Sequence, residues 1–233
     1  MKKFIKACET GNHEEMRRLL STVDSSERSN WAISFSSSYG HVEVVKLLLA
    51  DSRVDPSGRS NWAIRFASSH GHIEVVKLLL ADSRVDPTTN SNWAIRFASS
   101  HGHIEVVKLL LADSRVNPAA HNNRSICWAS ESGHVEIVKL LLADPRVNPA
   151  ADNNLAICWA SKQGHLEVVR LLLADSRVDP SVNNNFAIRM AFDYDHVEVV
   201  RILLQDPRVD ASKAETDNPE IQEMLAQWKY YPK

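Results

Sequence analysis

The stretch from Ser60 to Val85, SNWAIRFASSHGHIEVVKLLLADSRV, returns letter for letter from Ser91 to Val116, with looser copies on both sides. A glycine or its stand-in marks each copy: Gly40, Gly71, Gly102, Gly133, Gly164 and Asp195, each 31 residues after the last. An early copy at Gly11 precedes Gly40 by 29 residues. A fixed period of roughly 20–50 residues is the signature of a stacked repeat array. A unit that small cannot bury its own apolar face, so its neighbours must cover it. A chain of 233 residues with 44% hydrophobic content has the length of one or two ordinary domains. The repeat overrides that count and predicts one array over 1–233.

Each repeat reads as two short helices and a connector. The first helix follows an asparagine that holds one register: Asn30, Asn61, Asn92, Asn123, Asn154 and Asn185. Asparagine is a strong N-cap, because its side-chain oxygen accepts a free first-turn N–H, and these residues are expected to cap. Ile64 and Ala67, with Phe66 beside them, supply the apolar face, and Gly71 suits the left-handed position past the helix end. The second helix is predicted over about His72 to Ala81. Ile73, Val75, Val76, Leu78, Leu79 and Leu80 leave only Glu74 and Lys77 for solvent, so both sides should be covered by neighbouring repeats. Glu74 and Lys77 face one another at i, i+3, and the pair recurs from Glu43/Lys46 to Glu198/Arg201. The connector, Asp82-Ser83-Arg84-Val85-Asp86-Pro87, is expected to form a turn with a short extended arm on each side.

The ends depart from the pattern. Glu15 and Arg18 stand where the central repeat has Val75 and Leu78, which places charge on the outer side of an N-terminal capping repeat, 1–29. Six repeats follow over 30–210. In the last segment, 211–233, Asp217-Asn218-Pro219-Glu220 starts a helix with proline near its first position. Ile221, Met224, Leu225 and Trp228 then form an apolar stripe, predicting a C-terminal capping helix and an array complete at both ends.

Charge and composition exclude several classes. The formal net charge is −2 and the sequence pI about 6.6, whereas a nucleic-acid-binding domain is expected to carry a basic stripe and a pI above roughly 9. No apolar run approaches the roughly 20 residues of a membrane span, and the N-terminal segment lacks an apolar signal core. The three cysteines, Cys8, Cys127 and Cys158, include no CxxC pair. Helices in a stack lie roughly 8–10 Å apart, too far for the disulfide limit of about 7 Å between Cα atoms. Free thiols in a soluble, cytoplasmic protein are expected.

The run Ala67-x-x-x-Gly71-His72-x-Glu74-Val75-Val76-Lys77-Leu78-Leu79-Leu80 resembles the core of an ankyrin repeat, and the likeness covers about Lys3 to Val209, seven repeats in register. It implies an all-α solenoid of ankyrin-type helix-turn-helix repeats and a role in binding other proteins. The family's period is about 33 residues. Here it is 31, with Trp62-Ala63-Ile64-Arg65 where the family carries TPLH. Shorter, differently stabilised finger loops are expected.

Comparing the repeats with one another separates stacking positions from free ones. The histidines at His41, His72, His103, His134, His165 and His196 invite a metal reading. At roughly 8–10 Å spacing they cannot share one ion with bonds of about 2.0–2.1 Å, and a structural hydrogen-bonding role is expected. Arg53, Arg84, Arg115, Arg146, Arg177 and Arg208 each follow an aspartate by two residues and are expected to form an ion-pair ladder, each exposed pair contributing about 0–1 kcal/mol. Arg65, Arg96 and Arg189 occupy the place of the family's loop-bracing histidine, and bracing is the expected role. Cys127 and His134 are too weak a pair to read as a nucleophile and base.

The varying positions are the candidate protein-binding face. One register reads Trp31, Trp62, Trp93, Arg124, Leu155 and Phe186. Another, just before the glycine, brings His70, His101, Glu131, Lys162, Gln163 and Tyr194. The finger tips bring Arg59, Asn90, His121 and Asp152. In the family such positions line the concave groove, and Trp, Tyr and Arg are the residues most enriched at binding hot spots. Two readings of the tryptophans stand: an aromatic ladder for a partner, or packing over the finger bases. The expected function is a monomeric, non-enzymatic module that binds another protein, with no cofactor, metal, nucleic acid or membrane. The alternative is a structural spacer or a self-assembling scaffold.

Overall fold

A computed structural model describes residues 2–21, 26–212 and 216–230, and side chains over 3–21, 30–212 and 216–229. The sequence-predicted caps, 1–29 and 211–233, therefore each extend beyond the described residues. The chain divides into two compact bodies, Met1–Asn117 and Pro118–Lys233.

All regular structure among the described residues is helical. The first body holds α1 (Lys2–Thr10), α2 (His13–Leu20), α3 (Ser26–Ser38), α4 (Val42–Ala50), α5 (Gly58–Ser69), α6 (Ile73–Ala81), α7 (Thr89–Ser100) and α8 (Ile104–Ala112). The second holds α9 (Ala120–Glu131), α10 (Val135–Ala143), α11 (Ala151–Lys162), α12 (Leu166–Ala174), α13 (Val182–Asp193), α14 (Val197–Leu203) and α15 (Pro219–Tyr230). Each odd-numbered helix from α1 to α13 pairs with the even one after it. Within a body, first helices pack on first helices, as α3 on α5 and α5 on α7, and second helices on second helices, as α4 on α6. This is the helix-turn-helix solenoid class that the sequence predicts.

The core follows the repeat. Ala63, Ile64 and Ala67 of α5 and Val75, Val76 and Leu79 of α6 are buried, and their equivalents are buried in α7 through α13. Leu78 and Leu80 remain half-buried, so α6 is less enclosed than its sequence suggests. A helix of nine residues completes fewer than three turns, and at 3.6 residues per turn its apolar run passes beyond the covered faces. Glu74 and Lys77 pair at 2.7 Å on the solvent side.

The connector corrects one expectation: no extended arm pairs into a strand among the described residues. Asp82 takes one extended step (φ −87°, ψ 118°) as α6 ends. Arg84 then organises the turn. Its Nε and Nη2 grip Asp82 at 2.9 and 2.6 Å, while Nη1 and Nη2 reach back to the carbonyls of Val54 and Leu49 at 2.9 and 3.0 Å. Leu49 lies in the last turn of α4, whose carbonyls have no partner inside the helix. The expected ion-pair ladder is thus also a C-capping ladder. Arg115 repeats it on Val85 and Leu80, and Arg177 on Val147 and Leu142. The Arg53 guanidinium beside Asp51 holds that carboxyl down at about 2.

The first and last described segments hold α1, α2 and α15. Asn12 caps α2 by accepting the Glu15 N–H, and Glu15 and Arg18 pair with each other at 2.7 Å. Asn218 caps α15 by accepting from Glu220 and Ile221. Ile221 and Leu225 are buried, Met224 and Trp228 half-buried, and α15 packs on α14.

Candidate functional site

The site rises from a backbone feature that periodicity does not announce. Arg59, Ser60 and Asn61 all lie in left-handed helical conformation, with φ between 56° and 58°. The same triplet recurs at Asn90–Asn92, His121–Asn123, Asp152–Asn154 and Asn183–Asn185. Left-handed helical backbone costs an L-residue roughly 1–2 kcal/mol, least for Asn, Asp and His, whose short polar side chains tolerate it. The triplets are built mainly from those three types. That enrichment is the signal by which the turn is legible in sequence.

This turn corrects the predicted role of the asparagine. Asn61 is buried at 7% exposure, but its side chain does not cap the helix it precedes. Its Oδ1 accepts the N–H of Asp86, 2.8 Å away and 25 residues on, and its Nδ2 donates to the Thr89 hydroxyl at 2.9 Å. Asp86 lies in the connector that closes the same 31-residue unit, and Thr89 opens α7, the first helix of the next pair. The Oδ1 half of the clamp recurs from Asn30 to Asp55 and Asn92 to Asn117 in the first body. In the second it joins Asn123 to Asn148, Asn154 to Asp179 and Asn185 to Asp210. Within the repeat, the turn is braced by the arginine register: Arg96 donates to the carbonyls of Ser91 and Asn90 at 2.9 and 2.8 Å.

At the other end of the first helix, the Gly-His corner locks repeats together. Gly71 has φ +76°, and a Cβ added there would lie 2.5 Å from His103 Nδ1. The histidine reaches back one repeat: Nε2 of His103 donates to the Ser69 carbonyl at 2.9 Å, as His72 does to Ser38. In the second body His165 and His196 do the same to Glu131 and Lys162. Burial pushes His72 and His103 below the ordinary imidazole range, keeping both rings neutral donors at pH 7. The invariant histidines are hydrogen-bonding struts, as expected.

The varying positions stand between turn and corner, and none of the fourteen candidates is fully buried. In the first body Trp31, Trp62 and Trp93 are half-buried, and each lies on the aromatic four residues later. Ring centroids are 4.4 Å apart for Trp31–Phe35, 5.0 Å for Trp62–Phe66 and 3.8 Å for Trp93–Phe97. Trp93 is also met by Phe66 at 5.5 Å and by the Arg65 guanidinium at 4.8 Å, and Trp62 by the Arg59 guanidinium at 5.2 Å. Trp31, Arg59, Trp62 and His70 line one pocket of about 460 Å³, which Phe35 and Tyr39 complete. Asn90 is exposed at the head of its turn, and His101 is fixed by the Phe97 carbonyl at 2.9 Å.

In the second body the aromatic moves within the helix. Arg124 replaces tryptophan, but its guanidinium covers the ring of Trp159 at 5.3 Å. Lys162 lies 5.2 Å over the ring of Tyr194, which is 50% exposed. Glu131 is half-buried. His121, Asp152 and Gln163 are exposed at their registers and join neither ring contact. Sequence reasoning missed Phe35, Phe66 and Trp159 as parts of this surface. The spacing of four from the tryptophan register would have found all three.

Desolvation raises the three cysteine thiols, to about 11 for Cys8 and about 12 for Cys127 and Cys158. All three are free and buried. A thiol held that high is almost wholly protonated near neutrality and a poor nucleophile.

Paired antiparallel helices repeated in register, joined by capped turns and presenting a varied surface between invariant struts, define a helical-repeat protein of the stacked-unit kind. Comparison with known families specifies the kind. The profile described as ankyrin repeats in three copies matches residues 64–151 and again 126–217. A second, for ankyrin repeats in many copies, matches residues 31–80. These matches span more than half the chain, which belongs to the ankyrin-repeat family. No curated protein sequence matches it.

Proposed function

We propose that the chain is a non-enzymatic protein-binding module that engages its partner through the first-helix and turn side of the repeats. Ankyrin repeats generally mediate protein–protein interaction, and one observation carries the reading to this surface. The polar side chains shared by the repeats are committed to bonds within the array, whereas the fourteen varying candidates are left at least partly open to solvent. Asn61, Arg84 and His103 illustrate the first set, and Arg59, His70 and His101 the second. Exposed Arg beside half-buried Trp is the composition of an interface hot spot, where one large side chain contributes about 2 kcal/mol or more to binding. A standard interface takes about 800 Å² from each partner, which three or four repeats supply.

A photo-crosslinking side chain placed at His70 or His101, in extracts of the source cell, is expected to trap a partner protein. The same group at Lys77, on the opposite side of the repeat, is expected to trap none. Crosslinking from Lys77 with none from His70 or His101 would reverse the assignment of the face. A single species at twice the chain's mass from every position would favour the self-assembling scaffold instead.

A further inference from the structure

The repeats supply an internal comparison that explains why the pocket exists. At the boundary between α5 and α7, Phe66 meets Trp93 at 5.5 Å and the Arg65 guanidinium lies 4.8 Å over the Trp93 ring. That boundary is filled from within. One repeat earlier the arginine register holds Ser34, which turns its hydroxyl onto its own helix at the Asn30 carbonyl, 2.9 Å away. Trp62 then takes its cation from Arg59, at 5.2 Å. The space that an arginine stem would occupy remains open, bounded by Phe35, Tyr39, Trp62 and Phe66, with Ser34 inside and Arg59 and His70 at the mouth. Its volume of about 460 Å³ falls in the ligand-pocket range of roughly 300–1,000 Å³.

Charge decides what fits. The turn and first helix over 57–72 and over 88–103 contain no aspartate or glutamate, although the chain as a whole carries a net charge of −2. They do contain Arg59, Arg65 and Arg96, and the glutamates of α4, α6 and α8 are paired with lysine on the far side, as Glu74 with Lys77. Arg65 is desolvated enough to lower its pKa, with no carboxylate among the causes. The pocket's two walls, 30–41 and 57–72, therefore hold no carboxylate, and Arg59 is an exposed cation on them. In the second body the same registers carry Glu131, Asp152 and Asp193 beside Arg124, Lys162 and Arg189, so this bias belongs to the first body.

We propose that the Ser34 pocket receives one aromatic or large aliphatic side chain from an acidic, extended peptide segment of the partner, whose flanking carboxylates meet Arg59 and Arg65. An extended chain rises about 3.3 Å per residue, so three residues cover one repeat step of about 8–10 Å. A carboxylate beside the anchor reaches Arg59, and another about three residues on reaches Arg65. This rests on the protein-binding reading above and names the partner's chemistry.

The test uses the full chain and fluorescence anisotropy of a fluorescein-labelled Asp-Glu-Phe-Asp-Glu peptide. Saturable binding is expected that weakens as salt rises and the charges are screened, and that falls about tenfold or more when the peptide's Phe becomes Ala. Ser34→Arg installs the residue the next repeat already carries, so helical circular dichroism should be unchanged while binding falls about tenfold or more. Arg59→Glu should do likewise through charge. Equal or tighter binding of Lys-Lys-Phe-Lys-Lys overturns the proposal, as does preference for a labelled oligothymidylate. Ser34→Arg without effect overturns it, and so does a dimer in light scattering that Ser34→Arg dissolves, since a second copy would then be the occupant. A crosslink from His70 in extracts without binding of the acidic probe removes this proposal and leaves the protein-binding reading. Absence of any crosslink from both His70 and His101 removes the reading itself.

Discussion

Replacing Asn61 separates two jobs that the structure gives one residue. The side chain makes both of its hydrogen bonds at the entry to the next helix pair, at 2.8 Å to the Asp86 N–H and 2.9 Å to the Thr89 hydroxyl, from a site only 7% exposed. Its backbone sits at φ 56°, ψ 41°. Asn61→Gly removes the clamp but frees the backbone, and leaving its partners unmatched costs about 1–3 kcal/mol. Asn61→Ala removes the clamp and adds the left-handed penalty of roughly 1–2 kcal/mol, so it should be the worse by about 1 kcal/mol, after the flexibility glycine adds to the unfolded chain. An N-cap on its own helix would give a different pattern: about 1 kcal/mol for alanine and a few tenths for glycine, with no dependence on Thr89. The deciding measurement is a double-mutant cycle of Asn61→Ala with Thr89→Val in urea unfolding, followed by circular dichroism. Contacting pairs couple by about 0.5–3 kcal/mol. The loss should enter the nearest-neighbour interface term of the repeat array and leave the intrinsic stability of a repeat unchanged. Zero coupling, with alanine and glycine both within about 0.5 kcal/mol of the parent, would refute the clamp.

Gly71→Ala combines φ +76° with a Cβ 2.5 Å from the His103 ring. The conformational part alone is roughly 1–2 kcal/mol, and the displaced strut adds to it; a thermal midpoint unchanged within error would contradict the geometry. Acid should act in two windows. His72 and His103 have folded pKa values below the ordinary 6.5, so the unfolded chain binds protons first and stability falls as pH drops through about 6.5. His103→Gln should flatten that slope in a midpoint-against-pH series. Asp51, held at about 2, and Asp82 and Asp113, also lowered by their arginines, contribute stability that is complete above the ordinary carboxylate range. That contribution is lost as pH falls from about 4 toward 2, and neutral replacement of these aspartates should shallow the loss.

How far the sequence carried these conclusions depended on what kind of force placed each residue. Burial is periodic, so Val75, Val76 and Leu79, the Gly-His corner and the α15 stripe were legible from spacing alone. Handedness is not periodic. Asparagine favours both the N-cap and the left-handed region, and nothing in the Asn61 register alone chooses between them. The flanking Asn, Asp and His of the five triplets would have tipped the choice. The tryptophans were legible as a register, but their partners at Phe35, Phe66 and Phe97 looked like core. Only the geometry shows each pair stacked and left half-buried. The pocket was invisible for a further reason: it comes from a residue that is small. Ser34 reads in sequence as a lapse from the arginine register, and a vacancy shows only when its walls are in view.

The bonds between repeats all have short reach along the chain. Asn61 looks 25 residues ahead, while His103 and Arg84 look 30 to 35 residues behind. Excising or duplicating one 31-residue segment therefore leaves a clamp still facing an amide, a ring still facing a carbonyl and a guanidinium still facing a helix end. Such a chain can grow or shrink by whole segments without redesigning any joint. The letter-for-letter copy at Ser91–Val116 is what growth by that route leaves behind.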